Sequence, residues 1–85
     1  MSYSLVITEE ASAVVGSPAM AKDIHQAFVL AMLELPNDPH GVGSSVKSEG
    51  AFVTRMLAVG PYGMIVYVVN ETAATVTIVD VVWAG

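Results

Sequence analysis

Three apolar, β-branched runs in the second half of the chain, Ala51 to Val59, Tyr62 to Val69 and Thr75 to Trp83, are joined by connections that leave room only to turn back. Gly60-Pro61 and Asn70-Glu71-Thr72-Ala73-Ala74 are far too short for the crossover that parallel pairing requires, so the runs form an antiparallel meander. Before them stands Pro36-Asn37-Asp38-Pro39-His40-Gly41-Val42-Gly43, whose two prolines, two glycines and Asn-Asp pair no helix or central strand accepts. It reads as a loop.

The first half is helical after one short strand. Tyr3 to Ile7 is strand-like, and Thr8 can cap a helix whose positive end favours Glu9 and Glu10. That helix runs from Glu9 to Val15 and stops at Gly16; Ser17-Pro18 then begins a second, an N-cap followed by proline, that extends to about Leu35. Met20, Ile24, Ala27, Phe28, Ala31 and Leu35 recur at three- and four-residue spacing and form its inward stripe. The opposite side starts polar at Lys22 and Gln26 but turns apolar at Val29, Leu30 and Leu33. These three form either a partner-binding surface or a second layer of the protein's own core. The expected fold is α+β, in the order β-α-α-β-β-β, with two helices on one face of a mainly antiparallel sheet.

A chain of 85 residues supports one domain, residues 1–85, and its 54% hydrophobic and 13% charged content is that of a folded protein. With no cysteine there is no disulfide, thiolate metal site or cysteine nucleophile, as expected in a reducing, cytoplasmic setting. No Lys or Arg precedes Lys22, which is the wrong pattern for a secretory signal, and no apolar run approaches the ~18 residues that cross a bilayer. Three basic residues, Lys22, Lys47 and Arg55, face eight acids for a net charge of -5. Nucleic-acid affinity comes from cations replacing phosphate counterions, so autonomous binding to DNA or RNA is not expected.

If Gly60-Pro61 is a two-residue turn, alternation assigns each strand residue to a face. Arg55, Leu57, Val59, Tyr62, Met64, Val66 and Val68, with Val76, Ile78, Asp80 and Val82, make the helix-covered face. Thr54, Met56, Ala58, Gly63, Ile65, Tyr67 and Val69, with Thr75, Thr77, Val79, Val81 and Trp83, make the other, which holds no acid, base or cation. In this register Arg55 and Asp80 lie ~10 Å apart between backbones and form a partly buried ion pair. His25 and His40 read as ordinary surface residues without metal-ligand spacing, and no nucleophile triad or phosphate-cradling glycine motif is present. No cofactor or metal is expected.

The segment Arg55-Met-Leu-Ala-Val-Gly60-Pro-Tyr62-Gly-Met-Ile-Val-Tyr67 resembles the R-x-L-x-V-G-x-Y-R-x-x-Y pattern in the middle strand pair of the RelE/ParE toxin superfamily. Leu35-Pro-Asn-Asp-Pro39 with Gly41 and Gly43 resembles that family's loop between helical hairpin and sheet, and Tyr3 to Ile7 with Thr8 and Ala11 its opening strand and helix. The resemblance implies a toxin of a toxin-antitoxin system that binds a cognate antitoxin. It also implies a target: RelE-like members cut messenger RNA on the ribosome through Lys and Arg on the open sheet face, and ParE-like members inhibit gyrase.

Carried over position by position, the family's tyrosine is kept as Tyr62, but the arginine after it is Gly63 here. Thr54 and Met56 stand where RelE-like toxins put lysines, and Trp83-Ala84 where they put a His-Arg or Lys-Arg pair. Arg55 and Tyr62 are the remaining candidates for a catalytic role. Loss of even one group that stabilises transition-state charge costs ~3 kcal/mol, so ribosome-dependent mRNA cleavage is not expected, while an antitoxin-binding surface does not depend on those cations. The second reading is a catalytically silent protein-binding module or homodimer on the same scaffold; a small-molecule enzyme using Tyr67, Thr77 and Trp83 is a third.

Overall fold

A computed structural model describes residues 3–83. The elements run β1 (Ser4–Ile7), α1 (Glu9–Val15), α2 (Lys22–Glu34), β2 (Ser44–Glu49), β3 (Phe52–Val59), β4 (Gly63–Asn70) and β5 (Thr75–Trp83). They give the expected α+β fold with one strand more, because Ser44–Glu49 pairs with β3. Every residue of β2 is exposed, so it lacks the apolar alternation that marks a strand in sequence. The sheet order is β1-β5-β4-β3-β2, with β1 parallel to β5 and every other pair antiparallel.

Thr8 makes the junction between β1 and α1. Its hydroxyl accepts from the Ala11 amide at 3.3 Å and donates to the Ile78 carbonyl at 3.0 Å, so one side chain caps the helix and ties it to β5. The second helix begins later than the Ser17-Pro18 signal suggests. Ser17 Oγ instead accepts from the Ala19 amide at 3.2 Å in a turn, and α2 starts after Ala21 without a side-chain cap. Of the inward stripe, Phe28 and Leu35 are buried, with Met20 just ahead of the helix, and Ile24, Ala27 and Ala31 are half-buried; Met32, which the stripe left out, is buried beside them against Ala11, Val15 and the strand residues Val59, Ile65, Tyr67, Val69, Val76, Ile78 and Val81.

Two local features correct the predicted faces. The hairpin loop has three residues, not two: Val59 pairs with Gly63, and the Tyr62 amide donates to the Val59 carbonyl at 3.0 Å. That one-residue slip turns over all of β4, placing Ile65, Tyr67 and Val69 inside and Met64, Val66 and Val68 on the open face. The register then shifts again on β5, where Tyr67 pairs with Ile78 but Val66 pairs with Asp80. This bulge leaves Val76 and Ile78 inside, as expected, and swaps Asp80 and Val82 outward and Val81 inward.

Candidate functional site

The α2 helix presents the first candidate surface. Its inner side is fully used by the core, yet Leu30 is 64% and Leu33 59% exposed, and Val29 is half-buried between them and the interior. Beside this stripe a groove of about 260 Å³ runs between the helices and β1, lined by Leu5, Ile7, Val15, Val29, Met32 and Leu33, with Ser12 and His25 at its polar rim. His25 is held there by a 2.8 Å bond between Nδ1 and the Val15 carbonyl, which requires Nδ1 to donate. Leu30 and Leu33 are therefore not a second layer of the chain's own core. Covering both would contribute roughly 1 to 2 kcal/mol each from removed apolar area.

The sheet face away from the helices is the second candidate. It carries Thr54 and Met56, which pair with Val68 and Val66. Lys47 lies directly opposite Thr54 on β2, and its Nζ sits 3.4 Å from Glu49 Oε2. Asp80 is exposed on the same face, its Oδ1 accepting from the Val81 amide at 2.9 Å. Among the described residues, one lysine is thus the whole positive charge of this face, and two carboxylates share it. The remainder is apolar or hydroxylic.

The other candidate residues make their contacts within the fold. Arg55 points to the helix side and pairs with no carboxylate among the described residues: Nη2 donates to the carbonyls of His40 at 3.0 Å, Val42 at 3.1 Å and Gly43 at 3.3 Å, and Nε to Tyr67 Oη at 3.3 Å. Tyr67 is fully buried, and its one hydroxyl proton is shared between the carbonyls of Pro39 and Val42, both 3.0 Å away. The expected Arg55 and Asp80 ion pair does not exist, because the bulge puts Asp80 on the opposite face. The same turn of faces separates Tyr67, now interior, from Thr77 on the open side, which dissolves the small-molecule site read from sequence.

Gly43 lets this loop close on the sheet. It has φ +69°, and a Cβ there would strike the Met56 carbonyl oxygen and stand 3.0 Å from Tyr67 Oη. Gly63, at the position where the resemblance expects arginine, lies on the helix-side row opposite Val59 and Trp83, and a Cβ there would land on the Val82 carbonyl oxygen. Tyr62 and Trp83 are half-buried and pack against the core; Ala84 lies outside the described residues.

One polar cluster went unread in the sequence. Glu71, in the β4–β5 turn, is bonded to His40 Nε2 from the long loop and accepts from Tyr3 Oη at 2.8 Å. The Tyr3 and His40 rings meet edge-on at 6.4 Å. The bond from His40, then that from Tyr3, holds the Glu71 carboxyl below its ordinary value, and the bond to Glu71 raises the Tyr3 phenol. These residues are 31 and 68 positions from Glu71, a separation at which sequence spacing carries no signal. No group of three metal-ligating side chains occurs among the described residues, and none of their helices is long and apolar enough to cross a membrane.

No family model and no curated protein matches the sequence. Solved structures do match. The chain is similar to a protein in the archaeal RelE-RelB complex of Pyrococcus horikoshii, with TM-score 0.83, 18% identity, and 100% of this chain and 98% of that one covered. It is also similar to a protein in the toxin-antitoxin complex RelBE2 of Mycobacterium tuberculosis, with TM-score 0.75, 19% identity and coverage of 99% and 100%. Against a free, doubly substituted E. coli toxin RelE the TM-score is 0.65 at 17% identity, over 95% of this chain and 82% of that one.

Proposed function

We propose, from the premise that this chain has the fold of the RelE toxins, that it is the toxin-type member of a toxin-antitoxin pair and works by holding a cognate antitoxin segment. The observation that carries the reading is the exposed Leu30 and Leu33 stripe, continued by Val29 into the apolar groove beside it. An amphipathic segment laid there would bury leucines that the fold itself leaves in water. That two of the similar structures are RelE-type proteins caught with antitoxins supports the assignment of partner.

Cleavage of mRNA is not part of this function. A phosphoryl transition state needs positive charge around it, and among the described residues the open face offers Lys47 alone, already beside Glu49, with Asp80 across the sheet. On this reading the chain is a cytoplasmic domain acting through protein contacts, and no basic surface among the described residues supports engagement of ribosome or gyrase. Co-expression with the product of an adjacent reading frame tests the proposal. A stable complex with wild type that is lost in the double variant Leu30→Glu/Leu33→Glu is the expected result; an equally stable complex with the variant overturns the assigned surface.

A further inference from the structure

The two edges of the sheet are built differently. β2 carries Lys47 and Glu49 and a register shift between Ser45 and Lys47, the charges and bulge by which edge strands turn other strands away. β1 has no charge, no proline and no register shift, and it leaves Val6 46% and Ile7 44% exposed. Its backbone polarity follows from the parallel pairing. The Ser4 and Thr8 amides donate inward, to the Ala74 carbonyl at 2.9 Å and the Ile78 carbonyl at 3.1 Å, so the alternate residues Leu5 and Ile7 direct both N–H and C=O outward. The Tyr3 amide already donates to the Pro36 carbonyl at 2.7 Å, and Thr8 turns into α1, so the free edge runs from Leu5 to Ile7.

We propose that this edge pairs antiparallel with the same edge of a second copy of the chain, about a two-fold axis at Val6. Leu5 then exchanges N–H and C=O with Ile7 of the second copy, and Ile7 with its Leu5. Val6 meets its own counterpart at the non-hydrogen-bonded position, where cross-strand side chains stand closest. Self-complementarity selects this occupant. A two-fold interface must match itself, and an edge whose free groups sit one residue to either side of a single apolar centre does so. The strand has no charge to set the copies against each other, and the repulsion of two chains at -5 is screened over about 8 Å at physiological salt. The Leu5 and Ile7 side chains of the second copy fall on the same side of the sheet as the α2 groove.

Sedimentation equilibrium of the intact chain, with no other protein present, tests this apart from antitoxin docking. Wild type should form a dimer in the micromolar range. Ile7→Pro removes an outward amide, with the Ile7 side chain, while sparing the inward bonds to β5, and Val6→Lys places like charges at the axis; each should weaken association more than tenfold, whereas Val46→Lys on the opposite edge should not. Circular dichroism establishes that the variants fold, and if Ile7→Pro does not, Val6→Lys decides. A chain monomeric at every concentration overturns the proposal, even if another protein later protects the Leu5 and Ile7 amides. So does a dimer that Val6→Lys leaves intact.

Discussion

Replacing Tyr67 by phenylalanine isolates the polar clamp that fixes the long loop to the sheet. The ring is fully buried and phenylalanine retains its shape, so no cavity forms and the whole effect comes from the hydroxyl. Three contacts go at once: the bonds to the Pro39 and Val42 carbonyls, and the acceptor for Arg55 Nε. Val42 keeps a bond from Arg55 Nη2 at 3.1 Å, but the Pro39 carbonyl and the Nε–H are left without these partners. Leaving a buried donor or acceptor unsatisfied costs ~1 to 3 kcal/mol, so Tyr67→Phe should lose ~2 kcal/mol, a large share of the ~5 to 15 kcal/mol that holds a domain together. Arg55→Met removes the other half of the clamp, and in a double-mutant cycle the two should couple by ~1 kcal/mol. Urea melts of the three variants supply the numbers. A loss below ~0.5 kcal/mol for Tyr67→Phe, with an unchanged denaturant slope, would refute the clamp.

Gly63→Ala should cost ~1 to 3 kcal/mol in the same melts, because its Cβ would force β5 away at Val82; a neutral result would mean the two strands are further apart than described. Asp80→Ala should cost no more than ~1 kcal/mol, since the carboxylate is exposed, has no cationic partner on its own face within the strand pair, and gives up only its bond from the Val81 amide. Glu71 has its carboxyl lowered in the folded chain, so its contribution is fully present above its ordinary value of 4.5 and is lost as the pH falls through the folded value; acid unfolding of Glu71→Gln compared with wild type should therefore differ above that pH and converge below it. Toe-printing of a translating message should show no added cuts in the ribosomal A site, and site-specific cuts would contradict the charge argument.

The element order was legible wherever side chains had one environment. The α2 stripe, the Thr8 cap and the Pro36 to Gly43 loop each follow from local chemistry and stand where the sequence puts them. What failed was parity. A single added residue at Tyr62 turned β4 over, and the bulge before Asp80 turned the end of β5; in runs as uniformly apolar as Met64 to Val69, either face could have been the inner one. The Arg55 and Asp80 pair fell with that parity. Strand β2 escaped notice because an exposed edge needs no hydrophobic pattern, and the Tyr3, His40 and Glu71 cluster because it is assembled wholly by the fold. The exposed stripe was visible for the opposite reason: leucines at helical spacing on the side of α2 away from the inward stripe, which the fold leaves in water.

Hydrogen exchange of the chain with and without its co-encoded partner tests the central claim most directly. Docking on α2 predicts slowed exchange centred on Val29, Leu30 and Leu33, with the open-face strand pair at Thr54 and Met56 unchanged. Protection confined to Thr54, Met56 and their neighbours on β4, with α2 exchanging as in the free chain, would contradict it.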